Sequence, residues 1–121
     1  MKKPNVLREK TMSFAIRIVN LFKHLTTTRN EFIMSKQLLR SGISIGANYR
    51  EAVHAESNAD FIHKLSISQK EIGETMYWLE LLQATDYIKI AEYESISKDC
   101  EELYALITST ILTMKKKQHN S

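Results

Sequence analysis

Turn-forming residues are scarce in this chain, with one proline and three glycines among 121 residues. Antiparallel sandwiches and barrels need such breakers at intervals of roughly ten residues, so their shortage excludes those folds and argues for long helices. A lone cysteine, Cys100, excludes an intramolecular disulfide and a multi-cysteine zinc site. Its place on an apolar helical row marks it as a packed side chain rather than a reactive thiol. No window approaches the roughly 18 uninterrupted apolar residues of a membrane span. The opening "MKKPNVLREK" carries charge where a signal peptide has its apolar stretch. A cytoplasmic chain without a membrane partner is the expectation.

Catalytic signatures are missing as well. The stretch "GISIG" lacks the lysine and hydroxyl ending of a phosphate-binding loop, no serine or cysteine sits in an elbow motif, and the paired Glu-x-x-His units of di-iron bundles do not occur. His54, Glu56, Asp60 and His63 cluster in the sequence, but their setting fits a capping and salt-bridging turn better than a metal site. No enzyme activity, cofactor, metal or small-molecule substrate is therefore expected.

The apolar residues that are present, 43% of the chain, suffice for one core and one domain spanning 1–121. Leu7, Phe14, Ile18, Leu21 and Leu25 share one helical face. Thr28 and Glu31 have the spacing of a capping box and predict the start of a second helix, with Leu38, Gly42, Ile45, Tyr49 and Ala52 inward. Ser57, as N-cap, opens a third helix with the row Phe61, Leu65, Ser68, Ile72, Thr75, Leu79 and Leu82. A fourth carries Tyr93, Ile96, Cys100, Leu103, Ile107, Ile111 and Met114. The predicted helices span about 5–26, 29–56, 58–86 and 91–117, and their short connections require each to reverse direction. The fold class is all-α, an antiparallel up-and-down four-helix bundle.

In that bundle Gly46 is expected opposite Ser68, and Gly42 opposite Ile72 and Gly73, so that helices 2 and 3 approach closely. The alternative is that the glycines only relieve crowding by Tyr49 or Trp78. Ile43 lies away from the inward row of helix 2, Ile16 and Val19 away from that of helix 1, and Met76, Tyr77, Trp78 and Leu81 widen that of helix 3. Either the core stripe is broad, or a second apolar contact exists, most simply with another copy of the chain.

Charge divides sharply. Residues 1–50 hold ten Lys or Arg against two acids, net +8, and residues 51–121 hold seven against twelve, net −5. Lys10, Arg17 and His24 form one stripe on helix 1, which Lys3 would extend, and Lys23, Arg29, Lys36 and Arg40 continue the positive field. Three fates are open to these cations: phosphate contacts of a nucleic acid, complementarity between subunits of a ring, or plain solvation. Asn48, Arg50, Glu51, Glu71 and Glu74 read as interhelical polar contacts that fix register.

Residues 41–82, "SGISIGANYREAVHAESNADFIHKLSISQKEIGETMYWLELL", carry a family likeness through Ser44 to Asn48, Arg50-Glu51-Ala52, Glu56-Ser57, Asp60-Phe61-Ile62 and the run from Glu74. This segment resembles the four-helix bundle proteins of the large-subunit ribosomal RNA intervening-sequence family. The resemblance implies a cyclic homo-oligomer, typically a pentamer, often encoded within bacterial ribosomal RNA insertions. A related branch, the accessory variability proteins of diversity-generating retroelements, forms a basic barrel that engages a reverse transcriptase and nucleic acid. The family has no catalytic residues to transfer. Two functional expectations follow: an oligomer presenting Lys10, Arg17, Lys23, Arg29, Lys36 and Arg40 to structured RNA, or an oligomeric adaptor that uses the same surface for protein contacts.

Overall fold

The computed structural model describes residues 5–120, so Lys3 lies outside the described residues. Four helices follow in order: α1 (Val6–Thr27), α2 (Met34–Val53), α3 (Asn58–Ala84) and α4 (Ile90–Asn120). Each helix packs against its successor, and α4 closes against α1, while the diagonal pairs stay apart. Contacts join Asn5 to Tyr49, Ser41 to Thr75 and Lys10 to Glu102, which makes neighbouring helices antiparallel.

The inward rows form the core. Ile18, Leu25, Leu38, Ile45, Leu65, Ile72, Leu79, Leu82, Ile96 and Ile107 are fully buried. Each contributes about 1.5–3 kcal/mol relative to exposure. Leu21, Phe61, Tyr93 and Met114, at the margins of the rows, are half-buried and packed against this core.

Caps explain where the helices begin. The Asn5 side chain accepts from the Arg8 N–H at 3.0 Å and from the Tyr49 hydroxyl at 2.6 Å, tying the start of α1 to the end of α2. Ser57 caps α3 through the Asp60 N–H, as its sequence position predicts. The second helix departs from expectation, because Thr28 belongs to the end of α1 and α2 starts only at Met34. Asn30, at φ 55°, turns the chain so that the Glu31 N–H reaches the Leu25 carbonyl. The Glu31 carboxylate then accepts from the N–H groups of Ile33, Met34 and Ser35 at 3.1, 3.0 and 2.7 Å. The capping acid stands before the helix instead of inside its first turn, and α2 loses the turn that a box at Thr28 would have added. Asp86, at φ 67°, makes the corresponding turn after α3. With glycine scarce, Asn and Asp supply the left-handed positions, because they tolerate that conformation better than other side chains do.

The glycines face a different neighbour from the one expected. A β-carbon on Gly42 would lie 2.8 and 2.9 Å from the two γ-carbons of Ile18, and one on Gly46 would lie 3.2 Å from the Thr11 β-carbon. Close approach is thus real at both positions, but it is the α1–α2 contact that needs it. Gly73 meets nothing within 4 Å and is exposed. Between α2 and α3 hydroxyls do the joining: the Ser68 Oγ donates to the Ile45 carbonyl, and the Thr75 Oγ1 to the Ser41 Oγ, both at 2.9 Å.

Candidate functional site

The basic stripe of α1 lies beside α4. Arg17 donates to Asp99 at 2.9 Å, to Glu92 at 2.7 Å and to the Ser95 hydroxyl, and Lys10 pairs with Glu102 at 3.0 Å. Burial disfavours the Arg17 cation, but its hydrogen bonds to Glu92 and Asp99 outweigh that and raise its pKa. On the α2–α3 face Arg40 holds Glu71 and Glu74. Through its bond to Arg40 first, and to the Trp78 indole second, Glu74 is kept below the usual carboxylate range. Lys64 pairs with Glu51 across the same pair of helices. Solvent screens such pairs at half-exposed positions, so they set register more than stability. Glu51, Glu71 and Glu74 join helices as expected, whereas Asn48 bonds within its own helix to the Ser44 carbonyl. Arg50 has no ion pair among the described residues.

The six candidate cations therefore do not act as one surface. Lys10, Arg17 and Arg40 are committed to acids of their own chain. Lys23, Arg29 and Lys36 are exposed and face no carboxylate among the described residues. All three sit where α1 passes into α2. The connection between them carries Phe32 and Ile33, 59% and 79% exposed, beside that positive charge.

At the same end a cavity of about 410 Å³ opens between the second half of α1 and the α3–α4 turn. Leu21, Tyr87 and Ile88 supply apolar wall, and His24, Arg29 and Lys89 supply polar rim. Arg29 is fixed there: it donates to the carbonyls of Tyr87 and Asp86 at 2.9 and 3.0 Å and lies 5.1 Å from the centre of the Tyr87 ring. Periodicity could not reveal this site, because Tyr87 and Lys89 come from the connection "TDYIKI", distant in sequence from Arg29.

Apolar side chains also face outward. Met12, Ile16 and Ile43 are 48, 54 and 41% exposed on α1 and α2, and Tyr104 and Leu112 are exposed on α4. A shallow groove lined by Met12, Ala15, Ile43 and Ala47 runs along the first of these faces, and Tyr104, Ala105 and Leu112 line a depression on the second.

Cys100 is fully buried, and burial first, with Asp99 and Glu101 adding, pushes its thiol up to about 12. A charged thiol reagent at neutral pH is expected to leave it unmodified in the native protein and to label it once the protein is unfolded. Rapid native labelling, measured by intact mass, would show that the core around it opens. Among the described residues no cluster of three or more His, Cys, Asp and Glu is placed to hold a metal ion, and no helix is long and apolar enough to cross a membrane.

Comparisons with known proteins place these features in a family context. The family model described as 23S rRNA-intervening sequence protein matches residues 3–109. Among solved structures, a protein of unknown function from the S23 ribosomal protein family of Bacteroides thetaiotaomicron is 57% identical, with a TM-score of 0.87. The match covers 88% of this chain and 98% of that one. A comparison with curated proteins found no match.

Proposed function

Because the chain belongs to the 23S rRNA-intervening sequence protein family, we propose that it is a non-enzymatic, self-associating bundle that contacts structured RNA at its α1–α2 end. Support for the RNA contact comes from Lys23, Arg29 and Lys36, the three of the six candidate cations that face no carboxylate among the described residues. Phosphates neutralise such groups without sequence reading, and deleting one cation that meets a phosphate lowers the salt dependence of binding by about one unit. The expected result is that Lys23→Glu and Lys36→Glu each weaken RNA retention and flatten its salt slope, with thermal stability unchanged. Binding and slope equal to those of the unmodified protein in both variants would reject the contact. Arg17→Glu is a poorer probe, since it sets a third carboxylate beside Glu92 and Asp99 and tests the fold first.

Self-association is supported by the outward apolar faces of α1–α2 and α4, which a lone bundle leaves in water. The two faces differ, so copies would join head to tail and close as a ring, for which the resemblance implies five members. Sedimentation should give a mass several times that of the chain, reduced by Ile43→Asp or Leu112→Asp. A folded monomer at every concentration would reject the assembly.

One observation favours a second reading. Half of the six cations are consumed inside the chain, which leaves less charge for phosphate than the sequence promises. An oligomeric protein adaptor, such as a reverse-transcriptase partner, needs no such charge. Intact assembly with no RNA affinity even at low salt would select it.

A further inference from the structure

We infer that the cavity beside Arg29 is a binding site for a nucleotide, with Arg29 and Lys89 taking the phosphate and the walls taking the base. Its volume of about 410 Å³ falls within the range of small-molecule sites, as does its mix of apolar walls and a few polar groups.

The charges of the cavity select an anion. Arg17 also lines it, but that side chain is answered by Glu92 and Asp99. Arg29 and Lys89 have no carboxylate partner among the described residues, and His24 and Asn20 add polar atoms to the same rim. Glu92 is the one acid of the lining, and Arg17 draws it aside.

Arg29 is also pre-organised. Two of its donors are used by the carbonyls of Tyr87 and Asp86, and its central carbon lies 5.1 Å from the centre of the Tyr87 ring, so the remaining donors are held in place without an ionic partner among the described residues. A fixed guanidinium loses little freedom when it takes a phosphate, and its planar fork suits that group. The walls select a ring. Leu21 and Ile88 offer apolar contact, and the Tyr87 ring with the Arg29 guanidinium over it supplies the aromatic and planar cationic groups on which bases lie. An anion without a ring would leave these walls wet, and a ring without an anion would leave the two cations unanswered.

The inference shares Arg29 with the proposed RNA contact, but Lys23 and Lys36 are not part of the cavity, so Lys23→Glu and Lys36→Glu test that contact apart from the cavity and Lys89→Ala tests the cavity apart from that contact. The test uses the full chain with adenosine monophosphate as probe, followed through the Arg29 Nε–H and Tyr87 ring resonances, with adenosine and inorganic phosphate as partial ligands. Adenosine monophosphate should shift both resonances and bind more tightly than either part. The Lys89 side chain makes no bond within the chain among the described residues, so Lys89→Ala should weaken binding about tenfold with an unchanged melt. Arg29→Ala should weaken it at least as much. Competition by a 5′-phosphorylated oligoribonucleotide at the same resonances identifies an RNA end as the source of the nucleotide, and lack of competition identifies the free nucleotide. Absence of shifts at millimolar probe, adenosine binding as tightly as its monophosphate, or unaltered affinity in Lys89→Ala would each overturn the assignment.

Discussion

Replacing Glu31 with alanine is expected to destabilise the protein by about 3 kcal/mol, because charge-assisted hydrogen bonds and helix caps carry contributions of that order. One carboxylate, only 7% exposed, serves three N–H groups at the start of α2, and Ile33 at the N-cap offers no side-chain acceptor in its place. Alanine would leave the three donors, including the N–H of the buried Ser35, without their acceptor. Glutamine keeps one acceptor oxygen and should recover part of the loss.

The pH dependence of this effect follows from the same bonds. Burial acts most strongly on Glu31 and favours its neutral form, yet the N–H groups of Ser35, Met34 and Ile33 together outweigh it and lower the pKa. A carboxylate whose pKa is depressed by folding gives its full stabilisation above its unfolded value, about 4.3, and loses it as pH falls through the lower folded value. Denaturant midpoints of the native protein and Glu31→Ala should therefore be well separated at pH 7 and draw together as pH falls below the unfolded value. A separation independent of pH would mean that the acid acts through packing and not through its charge.

Alanine at two helical glycines should move stability in opposite directions. At Gly73 the new methyl meets nothing, and an exposed helix interior gains about 0.5–1 kcal/mol from the better helix former. At Gly42 the same gain is opposed by contacts of 2.8 and 2.9 Å with Ile18, a fully buried and β-branched side chain with no free rotamer to retreat into. Overpacking of this kind costs about 1–3 kcal/mol for small insertions, and Gly42→Leu should lie at the top of that range or above it. Both clashing atoms are γ-carbons, so Ile18→Val would not relieve the strain, whereas Ile18→Ala would. Gly42→Ala combined with Ile18→Ala should accordingly cost less than the two changes separately. Equal shifts at Gly42 and Gly73 in thermal melts would remove the close approach of α1 and α2 from the account of the fold.

Much of the architecture is legible along the chain. The inward rows of all four helices follow from spacing alone, since a side chain's distance along a helix fixes its direction around it. Ser57 is legible for the same local reason, as its hydroxyl and the Asp60 N–H are three residues apart. Local spacing misleads at Thr28 and Glu31. A capping box and a carboxylate standing ahead of its helix use similar letters, and only the left-handed turn at Asn30 separates them. The glycines mislead differently. Gly42 and Gly46 sit at a close contact as expected, but two neighbours flank α2, and spacing within one helix does not say which of them a flanking residue meets; Gly73 meets nothing within 4 Å.

Sequence alone determined the fold class, the core rows, the reversal of direction at each connection and the family, because these depend on periodicity, chain length and contiguous motif. Tertiary structure decided which of the candidate cations keep no acid partner among the described residues, that α1 rather than α3 fills the space left by Gly42, and that Arg29 meets Tyr87 and Lys89 around one cavity. Those outcomes depend on distances between residues remote along the chain, and a charge is free or answered only according to what stands beside it in three dimensions.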